Sequence, residues 1–160
     1  MFLMYFGIAL VVANFGEYLI HRLQHKRVLR AQEHAYHHIQ NEPHGIIPEF
    51  WVYFRPALWA IVPTTAVIMF VDPLASLGWA TGIVFQIALS AVVHEMYHTD
   101  PNLIFWMRPI HHFHHKNNEW QHNFAFGNSL WDRILRTYKD DPTWIRQSVS
   151  WRRFLDVRWV

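Results

Sequence analysis

Histidine stands out in this 160-residue chain: there are 13, against 14 lysines and arginines together, and no cysteine. Ten of them form a repeated pattern. His21-x-x-x-His25 is followed by His34-x-x-His37-His38, and His94-x-x-x-His98 is followed by His111-x-x-His114-His115. On a helix, spacings of three and four place side chains on one face, adjacent turns apart. Neutral imidazole is a good ligand for iron, zinc or copper, so each block can offer two or three nitrogens to one point. Ten ligands exceed the three or four that one zinc takes, which makes two metal ions the economical reading. Two ions about 3.5–4 Å apart can share such a ligand set. Nitrogen ligands without thiolate suit iron or zinc, and spacing alone does not choose between them. The lack of cysteine excludes disulfide scaffolds, Fe–S clusters, Cys-type zinc sites and thiolate-ligated haem.

Five other residues lie near this pattern. His44 and His112 read as solvated rings or as hydrogen-bond partners of ligands. For His122 that reading and a role as an additional ligand are evenly balanced. Glu17, four residues before His21, and Glu95, next to His94, are candidates to accept hydrogen bonds from ligand imidazoles. Other chemistry competes for some of the same residues. His94-Glu95-Met96-Tyr97-His98 matches the H-E-x-x-H zinc protease motif, which leaves eight patterned histidines idle. Glu95-x-x-His98 and Glu119-x-x-His122 match the carboxylate di-iron pattern of ferritin-like bundles, but no second pair of inward glutamates is evident. Haem ligands in a membrane bundle belong inside the spans, whereas these blocks lie at span ends.

The elements that must position the blocks are apolar. Residues 74–93 run 20 positions without a charge, about the length needed to cross ~30 Å of hydrocarbon. Residues 50–71 carry one charge, Arg55, beside the interfacial aromatics Trp51, Tyr53 and Phe54, and Pro63 is tolerable in a membrane helix. Asp72-Pro73 divides these runs into a tight helical hairpin. The first 20 residues form a third span, because a secretory leader would need a basic start and a small-residue cleavage site, and neither is present. Between His21 and His34 a continuous helix would turn about 220°, so a shared site requires a bend between residues 26 and 33. In the second window the breakers are Asp100-Pro101-Asn102 and Arg108-Pro109, which predict short helical pieces converging below the membrane.

Apolar residues make up 52% and charged residues 16%, which argues against disorder and nucleic-acid tails. Four positive charges follow the first span, nine follow residue 93, and the 72–73 turn has none. The positive-inside rule therefore places residues 21–49 and 94–160 on the cytoplasmic face, of a bacterial inner membrane or an endoplasmic reticulum. The basic pI of about 9.1 points to anionic lipid headgroups rather than nucleic acid. Residues 132–160 interleave seven Arg/Lys and four Asp with Trp144, Trp151, Phe154 and Trp159, a pattern suited to a tail on the membrane surface. The expected fold is an all-α integral membrane bundle with about three transmembrane helices and a cytoplasmic histidine-rich helical cap.

The order of spans and histidine blocks resembles the fatty acid hydroxylase/sterol desaturase superfamily of integral-membrane non-haem di-iron enzymes. Glu17-Tyr18 ahead of His21-Arg22 fits it too, as does the closing stretch Asn123 to Tyr138 with Trp131-Asp132-Arg133 and Thr137. The resemblance covers about residues 10–139 of a single membrane-embedded domain spanning 1–160, with 140–160 as a basic, aromatic interfacial tail. It implies that His21, His25, His34, His37, His38, His94, His98, His111, His114 and His115 hold two iron ions, with zinc possible on purification. It further implies O2 as co-substrate, a lipid substrate taken from the membrane, and an electron-donor protein, either a ferredoxin or a b-type cytochrome with its reductase. Fatty acyl hydroxylation is the first expectation; sterol-type or carotenoid oxidation or desaturation are the alternatives. Two departures are visible. Family members often carry a longer N-terminus with a further span, and the aromatic-Gly pair before the final Thr is replaced here by Leu135-Arg136.

Overall fold

A computed structural model describes residues 1–116 and 120–160. Three long helices dominate it: α1 (Phe2–His25), α3 (Ile46–Val71) and α4 (Pro73–Thr99). Between the first two lies α2 (Ala31–Gln40); after α4 come a 3-10 turn (Pro101–Leu103), α5 (Ile110–Lys116), α6 (Leu130–Ile134) and a last 3-10 turn (Trp151–Asp156). The described residues contain no strand. All three long helices are long and apolar enough to cross a membrane.

The hairpin between α3 and α4 forms where the sequence predicts it. Asp72 is extended, as a residue before proline prefers, and Pro73 takes the first helical position, where its missing N–H costs nothing. The Asp72 carboxylate then accepts the N–H groups of Leu74 (2.8 Å) and Ala75 (3.0 Å), capping α4. Helix α4 is the central element, packed on α1 along one face and on α3 along another. Gly82 permits the first contact, since a Cβ there would come within 2.7 Å of the Phe6 carbonyl oxygen and 2.8 Å of Ala9 Cβ. By contrast α3 turns most of its apolar surface outward: Trp59 is 87% and Phe70 92% exposed. Such a surface suits the hydrocarbon of a bilayer.

The histidine-bearing ends of these helices meet on one side. Helix α1 stops at His25, and the chain reverses through Arg27 (φ 60°) and Arg30 (φ 37°) into α2. This is the bend that the sequence requires between residues 26 and 33. One expectation is corrected: the blocks are not four short pieces below the membrane. His21/His25 and His94/His98 ride on the last turns of the long helices α1 and α4, and only the other two blocks sit on the short helices α2 and α5.

Candidate metal centre

The ten patterned histidines assemble into two groups of five, cutting across the sequence blocks. One comprises His21, His25, His34, His38 and His114; the other comprises His37, His94, His98, His111 and His115; within each, the nearest ring nitrogens all lie within 4.8 Å of one another. The adjacent pair His37-His38 therefore divides, because neighbouring residues on α2 point about 100° apart. His114 and His115 divide on α5 for the same reason. The groups share a wall, where the rings of His38 and His115 stack at 4.0 Å.

In the first group the Nε2 atoms converge. His25 Nε2 lies 3.2 Å from that of His21 and 2.8 Å from those of His34 and His114, and His38 lies 3.1 Å from His34 and His114. Two rings have their orientation and tautomer set from behind. His21 Nδ1 donates to the Phe124 carbonyl and His114 Nδ1 to the His122 carbonyl, both at 2.6 Å. With the proton on Nδ1, the inward Nε2 atoms of His21 and His114 are bare lone pairs. In the second group His94 Nε2 is 3.2 Å from His37 and 3.3 Å from His98, while His94 Nδ1 meets Glu49 Oε1 at 2.9 Å.

These distances fit metal ions. Imidazole nitrogens bound at 2.0–2.1 Å stand roughly 2.9–3.4 Å apart around one octahedral or tetrahedral ion. The described residues also leave both ring nitrogens of His111 and His115, and Nδ1 of His25, His37 and His38, buried with no hydrogen-bond partner. Burial holds the imidazoles neutral, the form that binds metal: His37 and His38 are both pushed down to about 3. His34, His111 and His115 are lowered further, by burial first and then by neighbouring histidines.

Around the groups runs a hydrogen-bond frame that explains the closing sequence motif. Asp132, fully buried, accepts the N–H groups of Phe124 (2.9 Å) and Ala125 (3.0 Å) and the Thr137 hydroxyl (2.8 Å). That fixes the Phe124 carbonyl on which His21 depends. Thr137 in turn shares a 3.0 Å hydrogen bond with Tyr18, to which Arg22 donates at 3.1 Å. Arg136 occupies the left-handed region (φ 59°), which favours glycine. The aromatic-Gly pair of the resembling family falls at this turn, so the departure at Leu135-Arg136 leaves the turn in place.

Of the remaining sequence candidates, Glu17 and Glu95 take hydrogen-bond partners other than ligand rings, and His44 and His112 stay outside both groups. Glu17 touches no imidazole: it accepts from the Ser90 hydroxyl, from Gln86 (3.3 Å) and from the Phe126 N–H (2.8 Å). It thereby holds Phe126, whose ring contacts His21, His94 and His111 at 4.6–5.2 Å. Glu95 is fully buried, and its carboxylate accepts the His44 backbone N–H at 3.0 Å. The acceptor for the His94 ring is instead Glu49, a residue the sequence reading missed. Glu49 is a lone carboxylate immediately ahead of the apolar run 50–71 and outside every histidine block. His44 Nδ1 reaches the same carboxylate at 3.5 Å, and that contact raises its pKa. His112 packs against Trp144 and joins neither group. His122 contributes its backbone carbonyl, and its ring belongs to neither group. Glu119 lies outside the described residues. Trp120, which no spacing in the sequence singles out, lies with its ring over His38 at 5.3 Å and against His25 at 5.0 Å.

Residues 6–137 match the family described as fatty acid hydroxylase. The chain belongs to the fatty acid hydroxylase family. The match begins near the start of α1 and ends at Thr137, so it takes in all ten clustered histidines, Glu49 and Asp132. Among curated relatives of this hydroxylase-family chain is the ornithine lipid hydroxylase OlsE of Rhizobium tropici, 28% identical over 145 residues. That alignment covers 84% of this chain and 42% of the relative, so the chain spans less than half of that relative's length. No solved structure gives a significant match. Family and three apolar helices together make this an integral membrane protein with two histidine groups able to hold metal ions.

Proposed function

We propose that the protein is an O2-dependent lipid hydroxylase with two histidine-held iron ions, acting on a fatty acyl chain. The observation that carries the reading is two adjoining five-histidine groups at the ends of membrane-length helices, in a chain of the fatty acid hydroxylase family. The ligands of one ion are His21, His25, His34, His38 and His114, and those of the other are His37, His94, His98, His111 and His115. Bound there, iron supplies O2 activation and attack on an unactivated C–H bond. The overall change is R–H + O2 + 2 e⁻ + 2 H⁺ → R–OH + H2O. Its two electrons come from a donor protein, a ferredoxin or a b-type cytochrome.

The chain's own residues bind, orient and exclude. The Phe124 and His122 carbonyls and the Glu49 carboxylate orient ligand rings through Nδ1. Phe126 is the floor on the membrane side. Its backbone is held at the level of Glu17 and Ser90, one helical turn toward the span interior from His21 and His94. Its carbonyl also accepts the Tyr97 hydroxyl at 2.7 Å. An acyl chain rising from the bilayer meets this ring first, in surroundings that keep water out. We place the histidine side on the cytoplasmic face, where 13 of the 14 Lys/Arg lie. The H-E-x-x-H protease reading fits less well, since His94 and His98 are joined by three further histidines, more than one protease zinc takes.

The test is expression in a host whose lipids are profiled, ornithine lipids included, with the His114→Ala variant as control. A +16 mass change on an acyl chain, absent from the control, is expected. A protein that holds two irons, receives electrons and leaves every lipid unchanged contradicts the reading; a −2 change assigns desaturation instead.

A further inference from the structure

Residues 140–160 are a strap tied across the histidine side of the molecule rather than a loose tail. The Arg108 guanidinium holds its start, donating to Asp140 (2.9 Å) and to the carbonyls of Asp141 (2.5 Å) and Trp144 (3.1 Å). Arg146 then donates to the Ile104 carbonyl at 2.6 Å, and the Gln147 N–H to Asn102 at 2.9 Å. Further on, Arg153 pairs with Asp100, the residue that ends α4, at 3.6 Å. Val157 is buried in the core. The Arg158 and Trp159 carbonyls finally accept the N–H groups of Ile46 (2.9 Å) and Ile47 (3.0 Å), the first residues of α3. Two of the N–H groups left over at this helix start, where Pro48 has none, are satisfied this way.

These anchors fix where the strap lies. Asp100 and Ile46 are same-side ends of two membrane-length helices, so the turn Trp151–Asp156 and the residues after it sit in the plane where those helices leave hydrocarbon. In that plane the strap exposes large apolar side chains: Trp151 68%, Leu155 73% and Trp159 61%. Arg152, Arg153 and Arg158 are interleaved with them; Arg153 is paired with Asp100 and Asp156, which leaves Arg152 and Arg158 exposed and without an Asp or Glu partner among the described residues. Aromatic rings and arginines with apolar stems are the residues that partition into the headgroup layer, and the two arginines left without an acidic side chain, Arg152 and Arg158, favour anionic lipid.

We propose that Trp151–Val160 is a docking surface for anionic phospholipid headgroups of the bilayer that the protein spans. The occupant is the protein's own membrane, by position and by charge complementarity. The same segment caps the helix that carries Glu49, so a seated strap also steadies the carboxylate behind His94.

The chain has no cysteine, so Leu155→Cys gives one labelling site in it. A nitroxide there is read by its collision rates with O2 and with a water-soluble nickel chelate. The protein is placed in nanodiscs of phosphatidylcholine with or without phosphatidylglycerol. Shielding from the nickel chelate in the anionic discs is expected, weakened by high salt, by omitting phosphatidylglycerol and by adding Arg152→Gln. Each arginine lost near an anionic surface changes the docked-to-undocked ratio roughly fivefold. Equal access of the chelate in both discs overturns the proposal. So does shielding that ignores both lipid charge and salt, which is apolar insertion alone. Dipolar broadening between labels assigns the face to a second copy and overturns it as well.

Discussion

The two histidine groups are alike in number and unlike in what holds them. In the first, the rings of His21 and His114 lean on main-chain carbonyls of the 122–126 segment, so this group depends on a loop being shaped correctly. In the second, His94 leans on a buried carboxylate, Glu49, which rises from an adjacent spanning helix. Neutral carbonyls fix geometry. A carboxylate also adds negative charge behind the ring and strengthens its hold on a cation. The groups differ in exposure too: His25, against Trp120, and His34 of the first are half-buried, whereas the second has only His98 in that state. One pair of metals can therefore be unequal in tightness and in access, although each is offered five imidazoles.

The most severe break is loss of a ligand. His114→Ala in the first group or His37→Ala in the second is expected to abolish lipid oxidation and remove metal while the protein still inserts, as read by metal analysis of membrane-purified protein. Full activity with two metals per chain in either variant contradicts the assignment.

Breaks behind the ligands should separate the groups. Asp132→Ala leaves the Phe124 and Ala125 N–H groups and the Thr137 hydroxyl without their acceptor, which costs about 3 kcal/mol of stability. It should empty the first group in preference to the second. Glu49→Gln should do the reverse, weakening metal binding to the second group by about 10–100-fold. Titrating chelator against each variant checks this, since each should release one metal early and one late; loss of the same metal in both contradicts the comparison.

How much of this was legible in sequence follows from what spacing can carry. The bend before His34 follows from the helical offset between His21 and His34 if they share a site. The three spans and the Asp72-Pro73 hairpin rest on charge gaps and breakers, which are local. The ten histidines likewise announce themselves by repetition. Their sorting was not legible, because whether His37 joins His34 or His94 depends on how α2 rolls against α4, a tertiary fact. Glu49 escaped for a related reason. Its partner His94 is 45 residues away, and nothing in a linear window links them. Glu17 was noticed for the wrong contact: the sequence put it a turn before His21, yet its carboxylate turns to Ser90 and the Phe126 N–H. Asp132 was visible within a family motif, and only the fold shows that it shapes the loop beneath His21.

Acid sharpens the comparison further. Burial holds His37 and His38 near 3, against 6.5 for an ordinary histidine. Lowering the pH below 6.5 therefore protonates the unfolded chain before the folded one. The stability of metal-free protein should be intact above about pH 6.5 and decline toward pH 3. Melting temperature against pH measures this, and a flat profile contradicts neutral buried imidazoles. The smallest effect belongs to the loop support. Arg136→Gly relieves a left-handed residue on the surface and should raise stability by about 1 kcal/mol without altering metal content. A lower melting temperature contradicts that account of the turn.

The central claim is that ten histidines hold two ions, five to each. Metal analysis of the purified membrane protein, paired with X-ray absorption at the iron edge, tests it most directly. The expected result is two irons per chain with a nitrogen-dominated ligand shell. One metal per chain, or a shell dominated by carboxylate oxygen, contradicts it.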